Sequence, residues 1–125
     1  CFMGDGGIQM SIQEFGTIME QQVSVKMILL NNTFLGNVRQ WQDLMFGHRH
    51  SFTDMLNPNY ADIAHGYGIP YDVVTDRKDL KIKVEKMLST PGPYLLECAI
   101  KPDEDIVPMT LPGKSVNEML LELHY

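Results

Sequence analysis

The stretch VKMILLNN, residues 25–32, constrains the fold more than any other feature of this chain. It is a nearly continuous apolar run that stops at two turn-forming asparagines. Such a run suits a strand covered on both faces, which is the habit of parallel sheets. A parallel sheet needs helices to carry the chain back between strands. Helix-like segments lie where they are needed. MSIQEFGTIMEQQ (10–22) places Met10, Ile12, Phe15, Ile18 and Met19 near helical spacing, with Gln13, Glu14, Glu20 and Gln21 as the polar complement. Gly16 interrupts that pattern and marks close packing on a sheet.

The rest of the chain keeps the alternation. CFMGD is a short apolar run ending in a turn, and it reads as buried strand. GNVRQWQDLMFG (36–47) is a helix bracketed by glycines, and SFTDMLNPN (51–59) is loop. YADIAHGYG (60–68) is a short helix stopped by Gly66 or Gly68. YDVVTD is a third strand, RKDLKIKVEKMLST a helix ended by PGP, and PYLLECAI a fourth strand. Strands alternating with helices predict an α/β domain: a partial, doubly wound parallel sheet with flanking helices. The tail from Lys101 is Pro-rich and ends in a short helix from about Val116. One domain is expected, with its front lying upstream of Cys1, because Cys1, Phe2 and Met3 have no preceding element to bury them.

Charge and cysteines narrow the function classes. Ten Lys+Arg against sixteen Asp+Glu leave a net charge of −6, which argues against a nucleic-acid surface. Arg77, Lys78, Lys81, Lys83 and Lys86 read as the solvated face of one helix. Cys1 and Cys98 both lie in apolar runs and read as two buried free thiols in a reducing cytoplasm. No apolar run approaches membrane-spanning length, and no signal peptide is visible.

The glycine-rich turn GDGG, residues 4–7, occupies a strand end just before a helix. Ligands of parallel α/β sheets bind beyond the carboxyl ends of strands. Gly4, Gly6 and Gly7 let a ligand approach the backbone, and amides at a helix start suit a phosphate. Asp5 would repel that phosphate unless a cation lies between them, and Mg²⁺ suits such a bridge. A second protein oxygen would come from Asn31 or Asn32 at the next strand end. A lone Gly-Asp-Gly is usually only a turn, and Asn-Asn after a strand is usually a turn or a cap. The pair at two successive strand ends is more specific. GHRHSFTD offers His48 and His50 with Arg49 between them, but no Cys or carboxylate at ligand spacing, so it reads as a solvated loop. No convincing nucleophile is visible, since neither Ser11 nor Ser24 sits in an elbow motif.

GDG followed after one crossover by NN is similar to the cofactor motif of thiamine diphosphate enzymes. GDGGIQMSIQEFGTI, VKMILLNNTFLGNVRQWQDL and the tail VPMTLPG together resemble the large catalytic subunit of the acetolactate synthases, from Phe2 to about Met119. The resemblance implies thiamine diphosphate and Mg²⁺ as cofactors. It implies metal ligation by the Asp5 carboxylate, the Asn32 side-chain oxygen and the Phe34 backbone carbonyl. Gly4, Gly6, Gly7, Leu35, Gly36 and Asn37 would lie against the cofactor, and Val38 and Trp41 along a substrate channel. Read from the residues alone, Trp41 is a helix residue packed in the core. The family usually has Met where this chain has Asn37, which places polar atoms near the cofactor and bears on second-substrate preference.

The resemblance further implies a carboligation of two 2-keto acids, pyruvate giving 2-acetolactate and CO₂, in branched-chain amino acid biosynthesis. The family's catalytic glutamate lies on the N-terminal domain of a partner subunit. Glu14 and Glu20 sit in the wrong context to replace it, so no catalytic residue is assigned here. Residues 1–100 are expected to be the C-terminal part of the diphosphate-binding domain and 101–125 a tail. The N-terminal domain and the middle domain, which holds FAD in the family, are absent from these residues. The fragment is expected to be inactive alone. A homodimer or homotetramer, a regulatory small subunit, and a bacterial cytoplasmic or plastid location accompany the resemblance. Other thiamine diphosphate enzymes, such as glyoxylate carboligase or pyruvate oxidase, share the metal motif. So would a non-catalytic diphosphate-binding module.

Overall fold

A computed structural model describes residues 1–102 and 104–123. Four strands, β1 (Phe2–Gly4), β2 (Lys26–Asn31), β3 (Tyr71–Val74) and β4 (Tyr94–Ala99), form one sheet in the order β1-β2-β4-β3. Every pairing is parallel, with Phe2 opposite Ile28, Lys26 opposite Tyr94 and Tyr71 opposite Leu95. The long apolar run thus becomes a central strand, flanked on both sides.

The helices are α1 (Asp5–Ser11), α2 (Glu14–Gln21), α3 (Gly36–Phe46), α4 (Tyr60–Gly66) and α5 (Leu80–Ser89). Side chains alternate across the sheet, as the two-residue period of a strand requires. Met27, Leu29 and Leu95 point to one face and pack with Ile8, Phe15, Tyr60, Ala64 and Ile69. Leu96 and Cys98 point to the other, with Tyr94, Val74 and Met87. These two cores lie on opposite faces of the sheet, in keeping with the doubly wound expectation.

Local chemistry explains most boundaries. Asn59 caps α4 by accepting from the amides of Ala61 and Asp62. Gly47 ends α3 with φ +57°, a left-handed conformation that a glycine adopts without steric cost. The tail's terminal helix is a single 3-10 turn, Val116–Glu118, held by a reciprocal capping box between Ser115 and Glu118.

Several expectations need correction. The first helix begins five residues earlier than its apolar spacing suggests, at Asp5, and is split in two around Ile12 and Gln13. The turn GDGG is therefore a strand end (Gly4) followed directly by helix. Gly16 faces the ring of Tyr67 rather than the sheet, since a Cβ there would lie 4.0 Å from Tyr67 Cε1. Cys98 is buried but Cys1 is exposed, and Phe2 is 75% exposed, because β1 is an edge strand. Burial pushes the Cys98 thiol up, with the Glu97 carboxylate adding to it, so it stays protonated and inert. The basic face is only partly solvated. Lys83 donates to the Val73 carbonyl, and Lys83 and Lys86 both pair with Asp72.

Candidate functional site

Gly4 pairs with Leu30 at the end of the β1–β2 ladder. Asp5 therefore emerges beside Asn31, at the carboxyl edge of the sheet. The loop that follows β2 is folded tightly by its own side chains. Asn31 Oδ1 accepts from the Thr33 amide (3.2 Å) and Asn32 Oδ1 from the Phe34 amide (3.1 Å). Both asparagines thus make the turn that their residue type favours. Thr33 takes φ +61° to turn the chain. The loop is then pinned to the 53–55 segment, with the Leu35 amide donating to the Thr53 carbonyl and the Met55 amide to the Thr33 carbonyl, each at 2.8 Å.

A cleft of about 580 Å³ opens over these strand ends, within the usual range of roughly 300–1,000 Å³ for small-molecule sites. All of the cofactor candidates line it: Gly4, Asp5, Gly6, Gly7, Asn32, Phe34, Leu35, Gly36 and Asn37. Val38 lines it too. Trp41 is half-buried on α3 but does not line this cleft. Gly36 matters sterically, since a Cβ on it would sit 3.2 Å from Asn32 Nδ2. Its bare backbone leaves room for the Asn32 amide. The Arg39 guanidinium lies over the Phe34 ring, 4.6 Å from its centroid, and fixes that side of the loop.

Asp5 is 2% exposed, an unusual place for a carboxylate unless its oxygens are occupied. Oδ1 accepts from the Gly6 amide (3.1 Å) and Oδ2 from Asn57 Nδ2 (2.8 Å). The same Asn57 amide donates to Asn31 Oδ1 (2.9 Å). Asn31 Nδ2 in turn donates to Glu97 Oε1 (2.7 Å), and the Tyr71 hydroxyl donates to Glu97 Oε2 (2.6 Å). A chain of polar groups therefore runs from β3 through β4 and β2 to Asp5. Burial and the Glu97 carboxylate push the Tyr71 phenol well above its ordinary value. Burial also raises the Tyr60 phenol, against a hydrogen bond from Gln9, with the Asp5 and Glu97 carboxylates adding to the rise. Tyr60 stays a neutral donor, and its hydroxyl reaches the Asp5 backbone carbonyl at 3.3 Å.

Sequence reasoning missed Asn57, Gln40 and the tail's place beside the cleft. Asn57 lies in a segment read only as loop, and its neighbour Pro58 is the sole local signal. Gln40 is 2% exposed, and its amide clasps the tail backbone: Nε2 donates to the Ile106 carbonyl (2.8 Å), and Oε1 accepts from the Ile106 amide (3.0 Å). That clasp brings Glu104, Asp105 and Ile106 to the rim of the cleft.

The histidine loop also differs from its expectation. A carboxylate is present: Asp43, one turn from the end of α3. His48 Nδ1 lies 2.7 Å and His50 Nε2 2.5 Å from the same Asp43 Oδ1. Sequence spacing hid this because the left-handed turn at Gly47 and His48 folds the loop back on the helix.

The cleft offers a buried carboxylate, an amide oxygen and, at Gly7, backbone open to approach. These donors fit a hard divalent ion that also takes phosphate oxygens.

Comparison with known proteins gives the site a context. Residues 1–98 match the family described as thiamine pyrophosphate enzyme, C-terminal TPP binding domain. The acetolactate synthase large subunit of Cyanidium caldarium is 41% identical over 122 residues, covering 96% of this chain and 21% of that protein. The acetolactate synthase isozyme 2 large subunit of Escherichia coli K12 is 40% identical over 124 residues, covering 98% and 23%. A solved thiamine diphosphate-dependent 4-hydroxybenzoylformate decarboxylase of Rhodococcus jostii RHA1 superposes with a TM-score of 0.76 at 23% identity, over 83% of this chain and 20% of that one. The last is a likeness of fold. The chain spans about a fifth of the length of the curated relatives it matches.

Proposed function

This chain belongs to the thiamine pyrophosphate enzymes, as their C-terminal TPP-binding domain, and we propose that it anchors the cofactor's diphosphate and Mg²⁺ in an acetolactate synthase. Residues 1–100 would form the C-terminal part of the diphosphate-binding domain and 101–125 its tail. The N-terminal and middle domains, with any FAD, would lie elsewhere in the full-length protein. The full-length protein would join two 2-keto acids, pyruvate giving 2-acetolactate and CO₂, in branched-chain amino acid biosynthesis. Its setting would be a bacterial cytoplasm or a plastid, as a homodimer or homotetramer with a regulatory small subunit. Among the described residues, no helix is long and apolar enough to cross a membrane.

The observation that carries this reading is the convergence of Asp5 and Asn32 on one cleft from adjacent parallel strand ends. The Asp5 carboxylate, the Asn32 side-chain oxygen and the Phe34 carbonyl would hold Mg²⁺. Asn32 Oδ1 has a second lone pair left after its bond to the Phe34 amide. Gly7 would leave the backbone open to the diphosphate, while Gly6 and Gly36, which make room for Leu35 and Asn32, would lie against it. Gly4, Leu35 and Asn37 would complete the wall. Val38, and Trp41 further along α3, would face the substrate channel. Bound thiamine diphosphate would supply the electron sink for loss of CO₂ from a 2-keto acid. The chain's own residues would do the positioning. Asn57 fixes one Asp5 oxygen, and Gln40 holds the tail over the cleft. The catalytic glutamate would come from outside these residues.

Product analysis of the full-length protein tests the reading. Pyruvate with Mg²⁺ and thiamine diphosphate should yield 2-acetolactate, and Asp5→Ala should abolish Mg²⁺-dependent cofactor binding. Carboligation of glyoxylate in place of pyruvate would overturn the assignment. So would a full-length Asp5→Ala protein that binds the cofactor as tightly as wild type.

A further inference from the structure

Among the described residues, Asp43, His48 and His50 are the one group of three metal-ligating side chains whose ligand atoms all lie within 4.8 Å of one another. They stand apart from the metal candidates of the cofactor cleft. Asp43 is near the C-terminal end of α3, whereas Gly36, Asn37 and Val38 at its other end line that cleft. Two imidazole nitrogens converge on one carboxylate oxygen, at 2.7 and 2.5 Å. The Asp43 side chain is 9% exposed and those of His48 and His50 are 52% and 33% exposed, so the group is anchored from below and open from above.

We propose that Asp43, His48 and His50 form a binding site for a divalent transition metal such as Zn²⁺. The donor set of two imidazoles and a carboxylate is one that zinc uses. Ligand atoms about 2.0–2.1 Å from a tetrahedral ion stand about 3.3 Å apart. Each imidazole nitrogen would therefore draw back from the Asp43 oxygen by less than an ångström, and turn its lone pair, to admit the ion. It lines a cavity of about 210 Å³ that Glu104 and Asp105 of the tail also line, with Arg39. Three carboxylates face one guanidinium there, and Arg39 is already engaged by the Pro102 carbonyl (3.1 Å) and the Phe34 ring. The local charge favours a cation. The fourth position is open to water or to a tail carboxylate. Glu104 and Asp105 line the cofactor cleft as well, so a metal here would tie the tail, α3 and the histidine loop together beside the cleft. Hard ions such as Mg²⁺ prefer all-oxygen sites, so the site would discriminate against the ion proposed for Asp5.

The test is Zn²⁺ titration by calorimetry, and the visible spectrum of bound Co²⁺, on the untagged full-length protein saturated with Mg²⁺ and thiamine diphosphate. One site per chain is expected, with an imidazole-ligated, low-symmetry Co²⁺ spectrum. His50→Ala and Asp43→Asn should each weaken Zn²⁺ binding by about tenfold or more, at least the loss seen for outer-shell changes. Asp5→Ala should leave it unchanged. Asp43→Asn keeps the side-chain volume and guards against a misfolded result. If wild type, His50→Ala and Asp43→Asn titrate alike, the proposal fails, and the trio is only a hydrogen-bonded cluster. If Asp5→Ala alone removes Zn²⁺, the metal was in the cofactor cleft and the proposal also fails.

Discussion

Asn57 is the residue on which the geometry of Asp5 turns, and a double-mutant cycle can measure how far. Asp5 is almost fully buried, and Asn57 supplies the side-chain amide that satisfies its Oδ2. A hydrogen bond to a charged, buried group contributes about 1.5–3 kcal/mol. Asn57→Ala also loses the bond to Asn31 Oδ1 (2.9 Å) and the exposed one from Gln9 (2.8 Å). A neutral, part-buried bond is worth about 1 kcal/mol and an exposed one less. The single substitution should therefore destabilise by about 3–4 kcal/mol. Asp5→Ala alone removes the buried charge and its bond together, and its net effect is smaller, because the desolvation cost disappears with the charge.

The double variant isolates the pair, since once Asp5 is gone Asn57→Ala loses only the bonds to Asn31 and Gln9. The expected coupling is about 1.5–3 kcal/mol. Urea unfolding of the 125-residue chain is the assay, with equal slopes across the four proteins as the check that one transition is compared. Additivity within about 0.5 kcal/mol would refute the reasoning. It would mean that the Asp5 carboxylate is satisfied by water or by the Gly6 amide alone, and that Asn57 does not orient it.

Other outcomes follow from the same structure. Gly36→Ala should leave stability within about 1 kcal/mol of wild type, since helix propensity gains offset the contact, yet weaken Mg²⁺-dependent cofactor binding, because the new Cβ meets Asn32 Nδ2 at 3.2 Å; titration of the full-length protein reads it. Tyr71→Phe should cost about 1–2 kcal/mol at neutral pH through the lost bond to Glu97. The folded phenol's pKa is raised, so that stability is present below about pH 10, the unfolded value, and fades as pH rises further; unfolding at pH 7 and pH 11 should show the gap between the two proteins narrowing. Gln40→Ala should free the tail, visible as faster tryptic cleavage after Lys114, because both bonds to Ile106 are lost. Leu29→Ala, at a site with no exposure, should cost about 2–5 kcal/mol in urea unfolding.

What the sequence made legible was local or repeated. VKMILLNN announced a central strand because a strand covered on both faces has no room for polar alternation. Gly47 marked the end of α3 because the left-handed turn there favours a residue without a side chain. The cleft was legible for a topological reason. In a βαβ unit the two strand ends are neighbours whatever lies between them, so Asp5 could be paired with Asn31 or Asn32 from their places alone. The early start of α1 was not legible. Glycines at positions 6 and 7 disfavour helix on propensity, and here tertiary packing of Ile8 into the core overrides them.

The residues that stayed hidden share one property: each acts on a partner far away in sequence. Asn57 reaches Asp5 from a loop, and Gln40 reaches Ile106 in the tail. Neither contact leaves a periodic trace, because a loop's course depends on the surface it crosses. Asp43 and the two histidines are nearer in sequence, but a left-handed bend brings them together, and spacing rules built for helices and strands do not reach across such a bend. For the contacts to Asn57 and to the tail, burial was the missing variable. Asp5 and Gln40 are each 2% exposed, and a polar group so deep must find a partner. Had burial been known for those two positions, the search for Asn57 and the Ile106 backbone would have been forced. A polar residue in a site is therefore best read in two steps: first whether the fold buries it, then what the fold must bring to satisfy it.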